Sequence, residues 1–592
     1  MCGIFALLNS SHDNNSINNE FMKGKSRGPE FSKLEHLYLK ITLGFHKLAI
    51  NGLNNESNQP LVINDIVLIC NGEIYNYKKL YETMNITPLT GSDCEVIIHL
   101  YIKYGIEQTL VMLDGVFSFI LYDNRISQDL SNRLYVARDP YGVRPLYYLK
   151  NNKKITYINN FGIATNIVSA NNTSRNYNNL NSKLYGFASD LKCLEFFYNC
   201  SILFNTSINY TIEQFKPGSY SIFNLSSKVS CEWEIVQENI LYFTPTFSHI
   251  HLITSQNLEE YYKGIAYYLT SSVNKRCLAT ERPIACLLSG GLDSSLITGL
   301  VSQYYKNNNY EQQLETYSIG LSGSEDLKYA SIMAKYIGSK HTEILVTEQE
   351  MFDAIPEVIS TIESYDTTTI RASIGNYLLG KYISTHSSAK VIFNGDGSDE
   401  LFGGYLYMNK CPDDIEFDRE TRRLLKDIHM FDVQRSDKSI SSNGLEPRTP
   451  FLDKTFVNYV LSIPSNIRNH KNSNECEKFL LRRAFCKNKS QTRQILPDEI
   501  LWRKKEAFSD GVSCHGRSLY QILQEQIAQK LNLEENTDTY MPSIETEKYY
   551  YKKLFNIYFP NCYHILPYFW MPKYIDAIDP SARTLTIYEN NK

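Results

Sequence analysis

The sequence predicts an α/β protein in two parts, an antiparallel sandwich with helices followed by a doubly wound parallel sheet. Two patterns and one count predict it. In the first 150 residues, short apolar strands crowd around two helical stretches, which favours packed antiparallel sheets. From Leu258 onward, helical runs alternate with short apolar strands, the rhythm of a parallel sheet. The count is composition: 592 residues, 43% hydrophobic and 21% charged, leave ample apolar material for two sizeable cores.

Strands are expected at 4–8, 43–50, 66–70, 116–123 and 133–137, with helices at 77–84 and 93–104. Residues 151 to about 209 are crowded with Asn, Ser, Lys and Tyr, and the middle of this stretch reads as a surface insertion, mostly disordered. FKPGSYSIFNL, starting at Phe215, restores strand patterning and closes a first domain at 1–229. A linker-like stretch to about Ser255 opens the second domain, 230–592. There, strands are expected at 284–288, 314–321, 343–346 and 390–393.

With 60 basic and 64 acidic residues, the chain has no global electrostatic reason to hold nucleic acid or an anionic membrane. No apolar run reaches about 18 residues, so no spanning helix is expected. The opening MCGIFALLNSSHDNN lacks a basic flank, and no leader is expected. Thirteen cysteines without a CxxC pair suit free thiols in a reducing, cytoplasmic compartment.

Ligands of a doubly wound sheet sit at the carboxyl ends of its strands. One such end carries PIACLLSGGLDSS, in which Ser289, Gly290 and Gly291 form a turn and a helix starts near Leu292. Glycines admit an anion close to backbone N–H groups, and the helix dipole adds positive potential. Ser294 and Ser295 place hydroxyls in the first turn. Asp293 would repel phosphate unless a cation intervenes, so Mg²⁺ bridging is inferred. No lysine follows the glycines, so this is not a Walker A loop. A second end, VIFNGDGSDELFGGY, groups Asp396, Asp399 and Glu400 beside Gly395 and Gly397. Three clustered acids call for a metal or a cation. Arg371 and Lys505 are candidate cations, though composition alone leaves each a surface charge.

A second chemistry is expected at the amino terminus. Loss of Met1 would expose Cys2 with a thiol and a free α-amine, the pair used by N-terminal nucleophiles. In CNGEIYN a strand is expected to end at Asn71 and Gly72, whose side-chain amide and backbone N–H suit an oxyanion hole. Asp93, in GSDCE, suits either a substrate amine or a plain helix cap.

MCGI, RGPE, NGEIYN, GSDCE, LDGVFSF and RDPYGVRPLYY resemble a class II glutamine amidotransferase domain. SGGLDSS, YDTTTIRAS, GDGSDELFGGY, EPRTPFLD, KKEAFSDGV and DPSARTL resemble the synthetase domain of the glutamine-hydrolysing asparagine synthetase family. The resemblance implies an α/β/β/α Ntn-hydrolase sandwich followed by an ATP-pyrophosphatase domain. It implies that Cys2 hydrolyses glutamine, with Asn71 and Gly72 on the oxyanion and Lys47, Glu73 and Asp93 around the substrate. It places ATP on Leu288, Ser289, Gly290, Gly291, Asp293, Ser294, Ser295, Ile319, Asn394 and Gly395. Asp293 and Asp399 would serve Mg²⁺ and pyrophosphate, while Arg371 and Lys505 support phosphate charge. Ammonia would pass through an interior tunnel to a β-aspartyl-AMP formed from aspartate. The family also suggests a homodimer.

Three residues depart from the family pattern. Lys47 stands where an arginine usually grips the glutamine carboxylate, and a point charge in place of a fork implies weaker glutamine binding. An ammonia-dependent synthetase with a weakened glutaminase site is the neighbouring reading. Asp396 stands for the usual Glu, one methylene shorter, and a reduced synthesis rate is expected. Glu30 replaces Asp in RGPD, and the sequence offers no physical account of that change.

Overall fold

A computed structural model describes residues 2–125, 132–152, 183–204, 209–226, 231–245, 257–473, 476–487, 494–513 and 516–585. The first part carries β1 (Gly3–Leu8), β2 (Phe31–Leu37), β3 (Ile41–Lys47), β4 (Leu61–Ile63), β5 (Ile66–Ile74) and β6 (Gly115–Asp123). It continues with β7 (Arg133–Arg138), β8 (Tyr147–Asn152), β9 (Tyr185–Ala188), β10 (Asn209–Gln214), β11 (Ser219–Leu225) and β12 (Trp233–Leu241). These form two six-stranded sheets, β10-β8-β9-β1-β3-β2 and β12-β11-β7-β6-β5-β4. Neighbouring strands pair antiparallel.

Period-two alternation assigns each face. Ile4, Ala6 and Leu8 of β1 meet Val67 and Ile69 of β5 between the sheets. Phe5 and Leu7 point the other way, onto the helices Asn14–Met22 and Glu195–Phe204. Leu68 and Cys70 turn outward onto the helices Tyr77–Met84 and Val96–Met112. The layers are therefore α/β/β/α.

The second part carries β13 (Ile284–Leu287), β14 (Glu315–Gly320), β15 (Lys340–Leu345), β16 (Val391–Phe393) and β17 (Glu446–Arg448). They form one parallel sheet in the order β15-β14-β13-β16-β17. Both faces are covered, as a parallel sheet requires. Ile284 and Cys286 pack on Leu296 and Leu300, while Ala285 and Leu287 pack on Leu379 and Ile383. The chain winds from β13 out to β15, then returns to β16 on the other side. This reversal places a crevice at the carboxyl ends of β13 and β16. No helix of the described residues is long and apolar enough to cross a membrane.

Four expectations are corrected. β3 stops at Lys47, short of residue 50, and β5 runs on to Ile74. Asn71 and Gly72 therefore lie inside a strand, opposite Ser118 and Phe117, not at its end. The expected insertion 151–209 is too wide: Leu184, Tyr185, Phe187 and Leu191 are buried core, while residues 153–182 lie outside the described residues. The boundary at 229 and the linker to 255 cut through the first sheet, because β12 pairs with β11. A strand that carries Glu234, Gln237, Glu238 and Asn239 and buries only its first residue hid as a linker. That residue is Trp233, fully buried, with its indole N–H donating to the Leu39 carbonyl at 2.8 Å.

Trp233→Ala should destabilise the protein by about 3–5 kcal/mol, the cost of emptying an aromatic core site. Denaturant unfolding followed by far-UV circular dichroism checks this; a loss below about 1 kcal/mol would return the segment to a linker.

Candidate active sites

The crevice between β13 and β16 opens into a solvent-connected cavity lined by both strand-end loops. Leu288 closes β13 by donating its N–H to the Tyr317 carbonyl at 2.8 Å. Ser289 and Ser294 clasp the turn, with their hydroxyls 3.0 Å apart. No side chain caps the helix Leu292–Asn307 at Gly291, so its dipole end faces the cavity. Gly290 adopts φ +73°, and a Cβ there would lie 2.4 Å from the Ala330 nitrogen. Gly290 thus packs the turn against the next helix and does not line the cavity, contrary to the expected nucleotide contact. Ser295 is likewise buried behind the turn. Leu288, Ser289, Gly291, Asp293 and Ser294 do face the cavity, as do Ile319, Asn394 and Gly395. A Cβ at Gly395 would sit 2.7 Å from the Ser294 nitrogen, so only glycine lets the two strand-end loops touch.

Charges alternate at the cavity mouth. Asp293 accepts from Ser398 Oγ at 2.7 Å and pairs with Lys478 Nζ at 2.6 Å. The same ammonium lies 2.6 Å from Asp399 Oδ1, and Lys505 Nζ lies 2.6 Å from Asp399 Oδ2. Burial opposes ionisation of Asp399, but the two lysines outweigh it and hold its carboxyl well below the ordinary range. Lys505 is raised above its ordinary value: burial works against the ammonium, and Asp399 and Asp293 prevail. Sequence reasoning missed Lys478. It lies in NECEKFLL, where no neighbouring residue marks it, and it adopts the left-handed φ +56°. Among the described residues, no three His, Cys, Asp or Glu side chains gather as a metal cage. Asp293 and Asp399 instead share a lysine.

Two other expectations are answered here. Arg371 does not reach the cavity: its guanidinium donates to Glu547 at 2.9 Å and to Asp579 at 2.7 Å. Asp396 does face the cavity, 3.0 Å from Arg435, which also pairs with Asp432 at 2.8 Å. Burial raises the Asp396 carboxyl above its ordinary value, and Arg435 only partly offsets this.

The amino-terminal residues meet where the first part packs on β17. Cys2 Sγ lies 3.7 Å from the Leu48 carbonyl, and burial pushes the thiol up. The Asn71 amide carries two N–H donors, and Ser189 takes one at 3.3 Å. Asp93 is buried and accepts the Ile74 N–H at 2.6 Å; burial raises its carboxyl to about 7. The helix cap is Ser92, not Asp93. Lys47 donates to the Asn54 carbonyl at 2.9 Å and to Asn58 at 2.7 Å, holding the loop after β3. Glu73 accepts from Asn51 at 2.7 Å and faces Arg448 of β17 at 3.4 Å, so it joins the two parts rather than an open substrate pocket.

That junction is a buried layer of charge. Arg27 donates to the Cys2 carbonyl at 3.1 Å and to Asp437 at 2.8 Å. Arg144 lies 3.5 Å from both Asp437 and Glu446, and Arg448 donates to Glu446 at 2.8 Å. Glu30 takes the Ala49 N–H at 2.6 Å and Arg282 at 2.8 Å. This gives the sequence departure at Glu30 a physical account: it spans from the loop after β3 to a residue just before β13.

Lys478→Met should leave Asp293 without its ammonium and Asp399 with Lys505 alone. The ATP-dependent step that the sequence resemblance implies should then fall about 10²-fold, while the glutamine hydrolysis it implies changes by less than about twofold. Separate assays of pyrophosphate and glutamate release check this, and equal losses in both would refute it.

Residues 1–230 match the glutamine amidotransferase domain family, and residues 264–415 and 409–564 match the asparagine synthase family. An asparagine synthetase [glutamine-hydrolyzing] from Gallus gallus is 38% identical over 100% of this chain and 99% of that protein. The proteins of the same description from Mus musculus and Homo sapiens are each 36% identical, with the same coverage. Two domain matches in this order, and relatives matching end to end, show that the chain belongs to the glutamine-hydrolysing asparagine synthetase family.

Proposed function

We propose that the chain makes asparagine from aspartate, using glutamine as nitrogen donor and MgATP as the activating substrate. One observation carries this reading. A cavity whose mouth alternates carboxylate and ammonium is joined, through the charge layer on β17, to a buried thiol at the start of the chain.

Cys2 is the nucleophile. Its thiolate attacks the glutamine side-chain carbonyl, the oxyanion settles on Asn71 and the Gly72 N–H, and ammonia leaves a thioester that water hydrolyses. Asp93 as carboxylate holds the substrate ammonium. Lys47 supplies positive charge for the glutamine carboxylate through the loop it pins. At the cavity, Ser289, Gly291, Ser294 and the helix end bind phosphate oxygens. Leu288, Ile319, Asn394 and Gly395 bound the nucleoside. Mg²⁺ arrives as part of MgATP, and Asp293 and Asp399 are the carboxylates assigned to it; Lys478 and Lys505 carry the charge of the leaving pyrophosphate. The aspartate side-chain carboxylate attacks the α-phosphate, and ammonia then displaces AMP. Asp396, held by Arg435 at 3.0 Å, is assigned to the incoming ammonia. A passage between the two sites that excludes water would keep that nucleophile unprotonated. Cytoplasmic placement and a homodimer are proposed on family resemblance alone.

Product analysis with aspartate, MgATP and amide-labelled glutamine tests the whole reading. Label in asparagine, with AMP and pyrophosphate in equal amounts, is the expected result; glutamate without labelled asparagine would refute it. Asp93 adds a pH signature. Because burial raises its carboxyl to about 7, the carboxylate form grows as pH rises through that value. The glutamine KM should therefore fall between about pH 6 and 8, and should stay level in Asp93→Asn. A wild-type KM that is flat over this range would contradict the role.

A further inference from the structure

We infer that the C-terminal segment 576–585 is a clasp that sets the shape of the cavity-facing loop 503–511, with Arg583 as its positioning residue. The inference rests on the reading of the cavity as the MgATP site. Residues Arg503 to Glu506 line the cavity and belong to no helix or strand. A run of four charged side chains without regular structure needs outside contacts to hold one arrangement.

On its inner side the loop is tied by Lys505 to Asp399 at 2.6 Å and by Arg503 to Asp326 at 2.8 Å. Its outer ties come from the far end of the chain. Arg583 Nε lies 2.7 Å from Glu506 Oε1, and its Nη1 donates to Ser513 at 3.3 Å and Ser518 at 3.2 Å. Ser581 Oγ donates to Asp510 at 2.7 Å. The segment is itself anchored: Asp579 accepts both terminal nitrogens of Arg371, at 2.7 and 2.8 Å, and Gln524 at 2.9 Å. Arg371 thus acts on the cavity at a distance, by fixing the clasp.

Charge explains why this position carries an arginine. Glu506 faces the cavity read as a phosphate site, where an unpaired carboxylate would repel the ligand. Arg583 neutralises it from behind. The side chains are only 6% and 11% exposed, so little solvent screening weakens the pair.

The test uses the full chain, with MgATP KM measured in the ammonia-dependent reaction and glutamine hydrolysis as the folding control. Arg583→Ala should raise the MgATP KM about tenfold and leave glutamine hydrolysis within about twofold. Arg583→Lys should restore most of the affinity. Glu506→Gln placed in the Arg583→Ala background should recover part of it, because the unneutralised carboxylate is gone. An unchanged MgATP KM in Arg583→Ala would overturn the clasp, as would a parallel fall in glutamine hydrolysis. Wild-type protein that consumes no ATP would overturn the cavity reading itself, and that is measured before any variant.

Discussion

The structure depends on charges that neither half can satisfy alone. Arg27 reaches from the Cys2 carbonyl to Asp437, and Arg448 reaches from Glu446 to Glu73. Each is almost fully buried. Removing one member of such a pair strands its partner in a low dielectric, which typically costs about 3–5 kcal/mol. Hydrophobic faces could glide past one another, whereas ion pairs with fixed partners cannot. The layer therefore fixes the register between the thiol and the parallel sheet. Because β17 supplies Glu446 and Arg448 and its neighbour β16 ends at the cavity, one sheet edge serves both chemistries.

The cavity follows a related logic. Four groups alternate in sign from Asp293 through Lys478 and Asp399 to Lys505. Each charge is stabilised by the next, so the set persists without a ligand. Under the proposed reading, an incoming polyphosphate would meet ammonium groups already held in place, with little reorganisation.

Much of this was legible in the residues. Short unbroken apolar runs in β1, β5 and β6 declare strands buried on both faces, and SGGLDSS and GDGSDE mark two strand ends that the fold brings together. What escaped reading has physical causes. Lys478 acts through Asp293 and Asp399, 185 and 79 residues away, and nothing local announces it. The resemblance pointed Arg371 at phosphate, and nothing local showed its partners Glu547 and Asp579, 176 and 208 residues downstream. β12 has a single large apolar anchor, and β17 is three residues with a central proline; neither shows periodicity. Glu73 sits in a motif associated with substrate, yet the fold spends it on the junction.

Lys478 holds its place with a backbone conformation that side chains seldom take. Glycine would relax the main chain there but forfeit the ammonium. Asparagine would tolerate the same torsion and offer a neutral amide. The position therefore resolves a contest between comfort and charge in favour of charge, and a survey of tolerated replacements there would read out how much torsional discomfort one positive charge is worth.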